Sequence, residues 1–180
     1  MNKTITIGDN ITFTSDSSRN LTLSFSPDDI TNCWSNADRL AGLITDYYHL
    51  HSNKECTTII STVLNELIEN AVKYAENKSE TVKIDTLKNE DKLLIKISNT
   101  LPAERLTPFI DECKKLFHTD LKTLFIKRIE SLKKEAPRDS SGGIGLILLK
   151  KDYNTGIKFI FYENNDVSYK VSVIAELTLV

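Results

Sequence analysis

Cysteine is scarce. Cys33, Cys56 and Cys113 are the only three in 180 residues, and they form no Cys-x-x-Cys pair and show no metal-ligand spacing. That argues against a disulfide scaffold or a zinc module and reads as reduced, buried thiols of a cytoplasmic protein. Long apolar runs are missing too. "IGLILL", residues 144–149, is far too short to cross a bilayer. The opening "MNKTITIGDN" alternates and has no apolar stretch of the kind a secretory signal needs. Sequons such as "NLT" and "NKS" are therefore expected to carry no glycan. Neither charge sign dominates: the net charge is -2, so nothing draws the chain as a whole to nucleic acid or to an anionic membrane. Internal repeats and low-complexity linkers are also absent.

What remains is the composition of an ordinary globule, 40% hydrophobic and 27% charged. The length suits a single domain over residues 1–180 with a substantial core. "TITIGDNITFT" and "NLTLSFS" alternate as two or three short strands, with residues 1–19 read as an N-terminal strand extension. "SPDDITNCWSNADRLAGLITDYYHL" follows with helical spacing through Ile30, Trp34, Ala37, Leu40, Leu43 and Ile44, capped by Asp28 or Asp29. "KECTTIISTVLNELIENAVKYAENKS" is the strongest helix, with one broad apolar face from Ile59 to Ala75. "ETVKIDTLKNEDKLLIKIS" reads as a hairpin turning at "KNED", its second strand ending at Ile97. Two amphipathic helices, the polar break "PRDSSGG", a helix from the glycines onward and a closing strand pair complete the chain. This order predicts an α+β two-layer sandwich, with helices on one face of a mixed, mostly antiparallel sheet.

Glu66, Asn70 and Lys73 stand at spacings of four and three on the strong helix, so a carboxylate, a carboxamide and an ammonium share one stripe. Alone, that stripe reads as a solvated face. The second signal is "SSGGIGLILL", which sets Gly142, Gly143 and Gly145 at the start of a helix. The unpaired N–H groups there carry a partial positive charge, and glycine lets a phosphate approach the backbone. A Rossmann phosphate loop would need a preceding strand, and "APRDSS" is not one. Other features have plain readings. His49 and His51, two apart on a helix, do not face one ligand. His118 is isolated. The basic run with Lys122, Lys127, Arg128, Lys133 and Lys134 reads as the wet side of an amphipathic helix.

Glu-x-x-x-Asn on a helix, a hairpin, a helical insert and then Gly-x-Gly-Leu opening a helix form a specific order. It resembles the histidine-kinase-like (Bergerat-type) ATP-binding domain shared by gyrase, the ninety-kilodalton heat-shock chaperone, histidine kinases and mismatch-repair ATPases. By size the anti-sigma-factor serine/threonine kinases are the nearest branch. The resemblance covers about residues 20–180 and implies ATP and Mg²⁺ as cofactors. It assigns Asn70 to the metal, Glu66 to the general base and Lys73 to a phosphate. Gly142, Gly143, Gly145 and Leu146 fall in the second glycine box, and residues 100–141 in the nucleotide-covering lid. Asn99 falls where that family has the adenine-reading aspartate, while Leu101 and Ala103 replace the two glycines that follow it. The resemblance further implies a small protein partner, an anti-sigma antagonist-like or sigma-type regulator, in a bacterial partner-switching circuit; homodimers are common in that branch. Two functions stay open: a Mg-ATP-dependent serine/threonine kinase, and a nucleotide-independent partner-binding module of the same fold. A simple ATPase is the third.

Overall fold

The computed structural model describes residues 4–14, 20–31, 35–50, 54–75, 80–133, 144–165 and 168–179. The strands are β1 (Thr4–Gly8), β2 (Asn20–Phe25), β3 (Val82–Lys88), β4 (Lys92–Pro102), β5 (Gly156–Asn165) and β6 (Ser168–Thr178). The helices are α1 (Pro27–Thr31), α2 (Ser35–Tyr47), α3 (Lys54–Tyr74), α4 (Ala103–His118), α5 (Leu121–Leu132) and α6 (Ile144–Asp152). The strands form one sheet in the order β1-β5-β6-β4-β3-β2. Every pairing among them is antiparallel.

Alternation along β4 decides which face is covered. Leu93, Ile95, Ile97 and Leu101 point toward the helices and are buried, together with Val171 and Ala175 of β6 and Phe159 and Phe161 of β5. They join one core with Ile30, Ala41, Ile44, Ile60, Leu64, Cys113, Leu116 and Leu149 from the helices. The result is a two-layer α+β sandwich with its main core on one face of the sheet. On the opposite face Asp85 accepts hydrogen bonds from Thr22 at 2.8 Å and pairs with Lys83 at 2.8 Å and Lys96 at 3.2 Å. A small second cluster of Ile11, Leu87, Leu94 and Ile174 forms there, where the chain leaving β1 crosses the sheet. Lys96 places its ammonium 4.6 Å from the centre of the Phe13 ring.

Several local expectations are corrected. Residues 32–34, between α1 and α2, lie outside the described residues, and the cap of α1 is not Asp28 or Asp29 but Ser26. Its hydroxyl accepts from the Asp28 N–H at 3.4 Å, while the Asp29 carboxylate accepts from the Ser26 N–H at 3.0 Å. Pro27 follows as the first helical residue, where its missing N–H costs nothing. Ile11–Thr14 form no strand. β4 does not end at Ile97 but continues to Pro102, because residues 98–102 keep their ladder with β6. His49 adopts φ 54° after α2. The amides of His49 and Leu50 then bond back to Asp46 and Thr45 at 3.0 and 3.1 Å, so this histidine closes a helix end.

α3 is the anchor of the helical layer. It contains neither glycine nor proline, and Ile60, Val63, Leu64, Leu67, Ile68, Ala71 and Val72 are all buried. At about 1.5–3 kcal/mol for each fully buried large aliphatic side chain, that face fixes the helix on the sheet. Side chains on its other faces are thereby held in place.

Candidate functional site

Glu66 and Asn70 lie one turn apart on α3, each half-buried. α6 packs against this part of the molecule and brings Gly145 to Glu66. The contact is so close that a Cβ at Gly145 would overlap the Glu66 carboxylate. Any side chain at Gly145 would therefore displace the Glu66 carboxylate from this position. Gly145 lies in the first described turn of α6, so the carboxylate sits against this part of the helix. Burial pushes the Glu66 carboxyl above its ordinary pKa, and the nearby Glu69 charge pushes the same way.

Asn70 opens into a cavity of about 750 Å³. Its floor is apolar, formed by Tyr74, Leu101, Phe109, Ile147 and Phe159 together with the buried Cys113, whose thiol pKa is raised by burial. Its rim is charged. Arg105 and Lys115 from α4, and Lys127 and Arg128 from α5, face Glu104 and Glu112. Four cations against two carboxylates leave a positive rim, although Lys115 also bonds Glu112 at 2.6 Å. A second cavity, of about 20 Å³, lies deeper and is lined by both Asn70 and Asn99. That is room for about one water.

The structure thus brings Glu66 to Gly145, and Asn70 to Leu146 and to Asn99. Asn99 sits inside β4, paired with Val171, and its side chain donates weakly to the Thr100 carbonyl at 3.4 Å. Lys73 lies elsewhere: it is exposed, its ammonium 5.8 Å from the Tyr74 ring centre, and it lines neither cavity. From Asn70, steps of three and of four turn in opposite senses around the helix, and the cavity lies on the side of Tyr74. Gly142 and Gly143 lie outside the described residues. Among the described residues no group of three or more His, Cys, Asp or Glu could hold a metal by themselves, and no helix is long and apolar enough to cross a membrane.

Tyr74 was legible from its spacing four residues after Asn70. Arg105 and Lys115 carried no local signal, because they reach the cavity only through the docking of α4. Lys127 and Arg128 belong to the basic run, and α5 turns them to the rim. The segment after β4 is otherwise two helices, of which α5 contains no fully buried residue.

The fold is thus an antiparallel six-stranded sheet with a helical layer on one face, in which the helix carrying Glu66 and Asn70 meets the helix carrying Gly145. Among solved structures, a chain of the SiaB–SiaC complex from Pseudomonas aeruginosa matches with a TM-score of 0.63 over 86% of this chain and 89% of that one, at 15% identity. The nucleotide-free catalytic domain of the histidine kinase ThkA aligns over 88% of this chain and 97% of that one, at 16% identity and a TM-score of 0.37. No protein-family model and no curated protein sequence matches the chain.

Proposed function

We propose that residues 1–180 form one nucleotide-binding domain that works in the cytoplasm as a Mg-ATP-dependent serine/threonine kinase of the anti-sigma type, acting on a small partner protein. The observation that carries this reading is the meeting of α3 and α6: the Glu66 carboxylate rests on Gly145 while Asn70, one turn on, opens into a large cavity with a cationic rim. The residues suit the cofactor. Mg²⁺ takes oxygen ligands and few protein contacts, so the Asn70 carboxamide beside phosphate and water oxygens is an adequate set. The bound Mg-nucleotide would supply the transferable phosphoryl group and neutralise its charge. Arg105, Lys115, Lys127 and Arg128 would attract the polyphosphate. Glu66 would accept the proton from a partner's serine hydroxyl. Its raised pKa makes it a stronger base than an ordinary carboxylate, closer to the range where proton transfer is efficient.

One observation favours a second reading, a partner-binding module that needs no nucleotide. Asn99 is locked within β4, and among the described residues the cavity that it lines holds about 20 Å³, too little for a base. Melting with and without ligand separates the two. Mg-ATP at a hundred times its Kd adds about 2.7 kcal/mol to stability, or several degrees in Tm for a chain of this size. Asn70→Ala is expected to abolish the shift, and Glu66→Ala to abolish phosphate transfer while leaving the shift. The absence of any shift with Mg-ATP or Mg-ADP favours the nucleotide-free module.

A further inference from the structure

α6 is held at both ends. Its first turn meets Glu66 through Gly145. At its last turn the Lys150 ammonium donates to Asp9 Oδ2 at 2.7 Å and lies 4.8 Å from the centre of the Phe117 ring on α4. The same Asp9 oxygen accepts the Ile157 N–H at 2.8 Å, and the Asp9 N–H donates to the Ile157 carbonyl at 2.9 Å. Asp9 follows Gly8, whose φ of 117° and close approach to Phe117 and the Ile157 carbonyl admit no side chain. One carboxylate therefore ties the end of β1, the start of β5 and the end of α6 together. Only 20% of the Lys150 side chain is exposed, which leaves the pair less screened than a surface bridge.

We infer that Lys150 is a positioning residue: clamped by Asp9 and Phe117, it holds α6 so that the Gly145 backbone stays against Glu66. It touches no reacting group. Its effect on phosphate binding rests on the proposed nucleotide site, but its effect on the Glu66–Gly145 contact does not. A bridge that served only overall stability would leave that contact unchanged when removed.

The test has two arms. In the ligand-free protein, the amide NMR resonance of Gly145 is compared with and without Glu66→Gln, since the neighbouring carboxylate sets its position. The difference is expected to fall to less than half in a Lys150→Met background and to return in Lys150→Arg, which keeps a cation for Asp9 and a flat group for Phe117. An undiminished difference in Lys150→Met overturns the clamp. Should Lys150→Met fail to fold, Asp9→Asn takes its place, because it removes the charge yet keeps an acceptor for the Ile157 amide. In the second arm, calorimetry with Mg-ATP is expected to show binding weakened about tenfold in Lys150→Met and restored in Lys150→Arg. If the unaltered protein binds no Mg-ATP, the nucleotide reading fails and the resonance comparison alone decides the clamp.

Discussion

Replacing Gly145 by alanine separates folding from chemistry. The three atoms nearest an added Cβ all belong to the Glu66 side chain, the carboxylate overlapping outright and Cγ at 3.0 Å. These nearest atoms belong to a flexible side chain, so the end of Glu66 swings out instead of α6 moving. Alanine in place of a helical glycine gains roughly 0.5 kcal/mol. Holding Glu66 in a poorer rotamer and resolvating it costs about 0.5–1.5 kcal/mol. The two nearly cancel, and Tm is expected to move by less than about 4 °C. Transfer of phosphate to a partner, by contrast, should fall by about a hundredfold or more, the usual loss when a general base is misplaced. Calorimetric melting and a transfer assay with labelled Mg-ATP measure the two effects. A double-mutant cycle adds a check free of any activity. In a Glu66→Ala background the added methyl meets no carboxylate, so Gly145→Ala should then stabilise, giving a coupling on the order of 1 kcal/mol. A coupling of zero would show that the helices do not meet through this pair, and the reasoning would fail with it.

Three further outcomes follow from burial and charge. Glu66→Gln should stabilise the ligand-free protein at neutral pH: the folded pKa lies above the ordinary 4.5, so the native state is penalised as pH rises through that window. The gain should vanish below pH 4.5, where the carboxyl is protonated folded or unfolded, and denaturant titrations at both pH values check it. Burial works against ionised Asp85, but hydrogen bonds from Lys83, Thr22 and Lys96 outweigh it and hold its pKa below 3.8. Its contribution is present above that value and lost as pH falls through the folded pKa, so Asp85→Asn should cost about 1–2 kcal/mol at pH 7 and little in strong acid. Phe159 is fully buried and lines the large cavity, with Phe109 and Phe117 edge-on at 6.1 and 6.3 Å. Phe159→Ala should cost about 3–5 kcal/mol and lower Tm by on the order of 10 °C in a thermal melt.

The strands and helices with strong periodicity were legible in the order of residues. α3 announces itself because each turn places another aliphatic side chain on one face. The β3–β4 hairpin does so because alternation is interrupted by one polar turn, closed by the Asn89 N–H to the Lys92 carbonyl at 2.9 Å. Boundaries were less legible. β4 runs past Ile97 because β6 offers it partners up to Ser168, a fact held in another segment of the chain. Lys73 was grouped with Glu66 and Asn70 by its spacing, but spacing does not say on which side of that stripe the cavity opens, and Lys73 is exposed outside it.

The sequence by itself determined the local elements, the two-layer class and the pair Glu66 and Asn70 on one helical stripe, since all of these depend on periods of two or 3.6 residues. Only tertiary structure decided that β1 and β2, neighbours in the chain, lie at opposite edges of the sheet, and that Gly145 meets Glu66. It also decided that cations from α4 and α5 surround the cavity beside Asn70. The physical reason is range: periodicity is written in adjacent residues, whereas convergence follows from which apolar faces bury each other, and that depends on the whole chain at once.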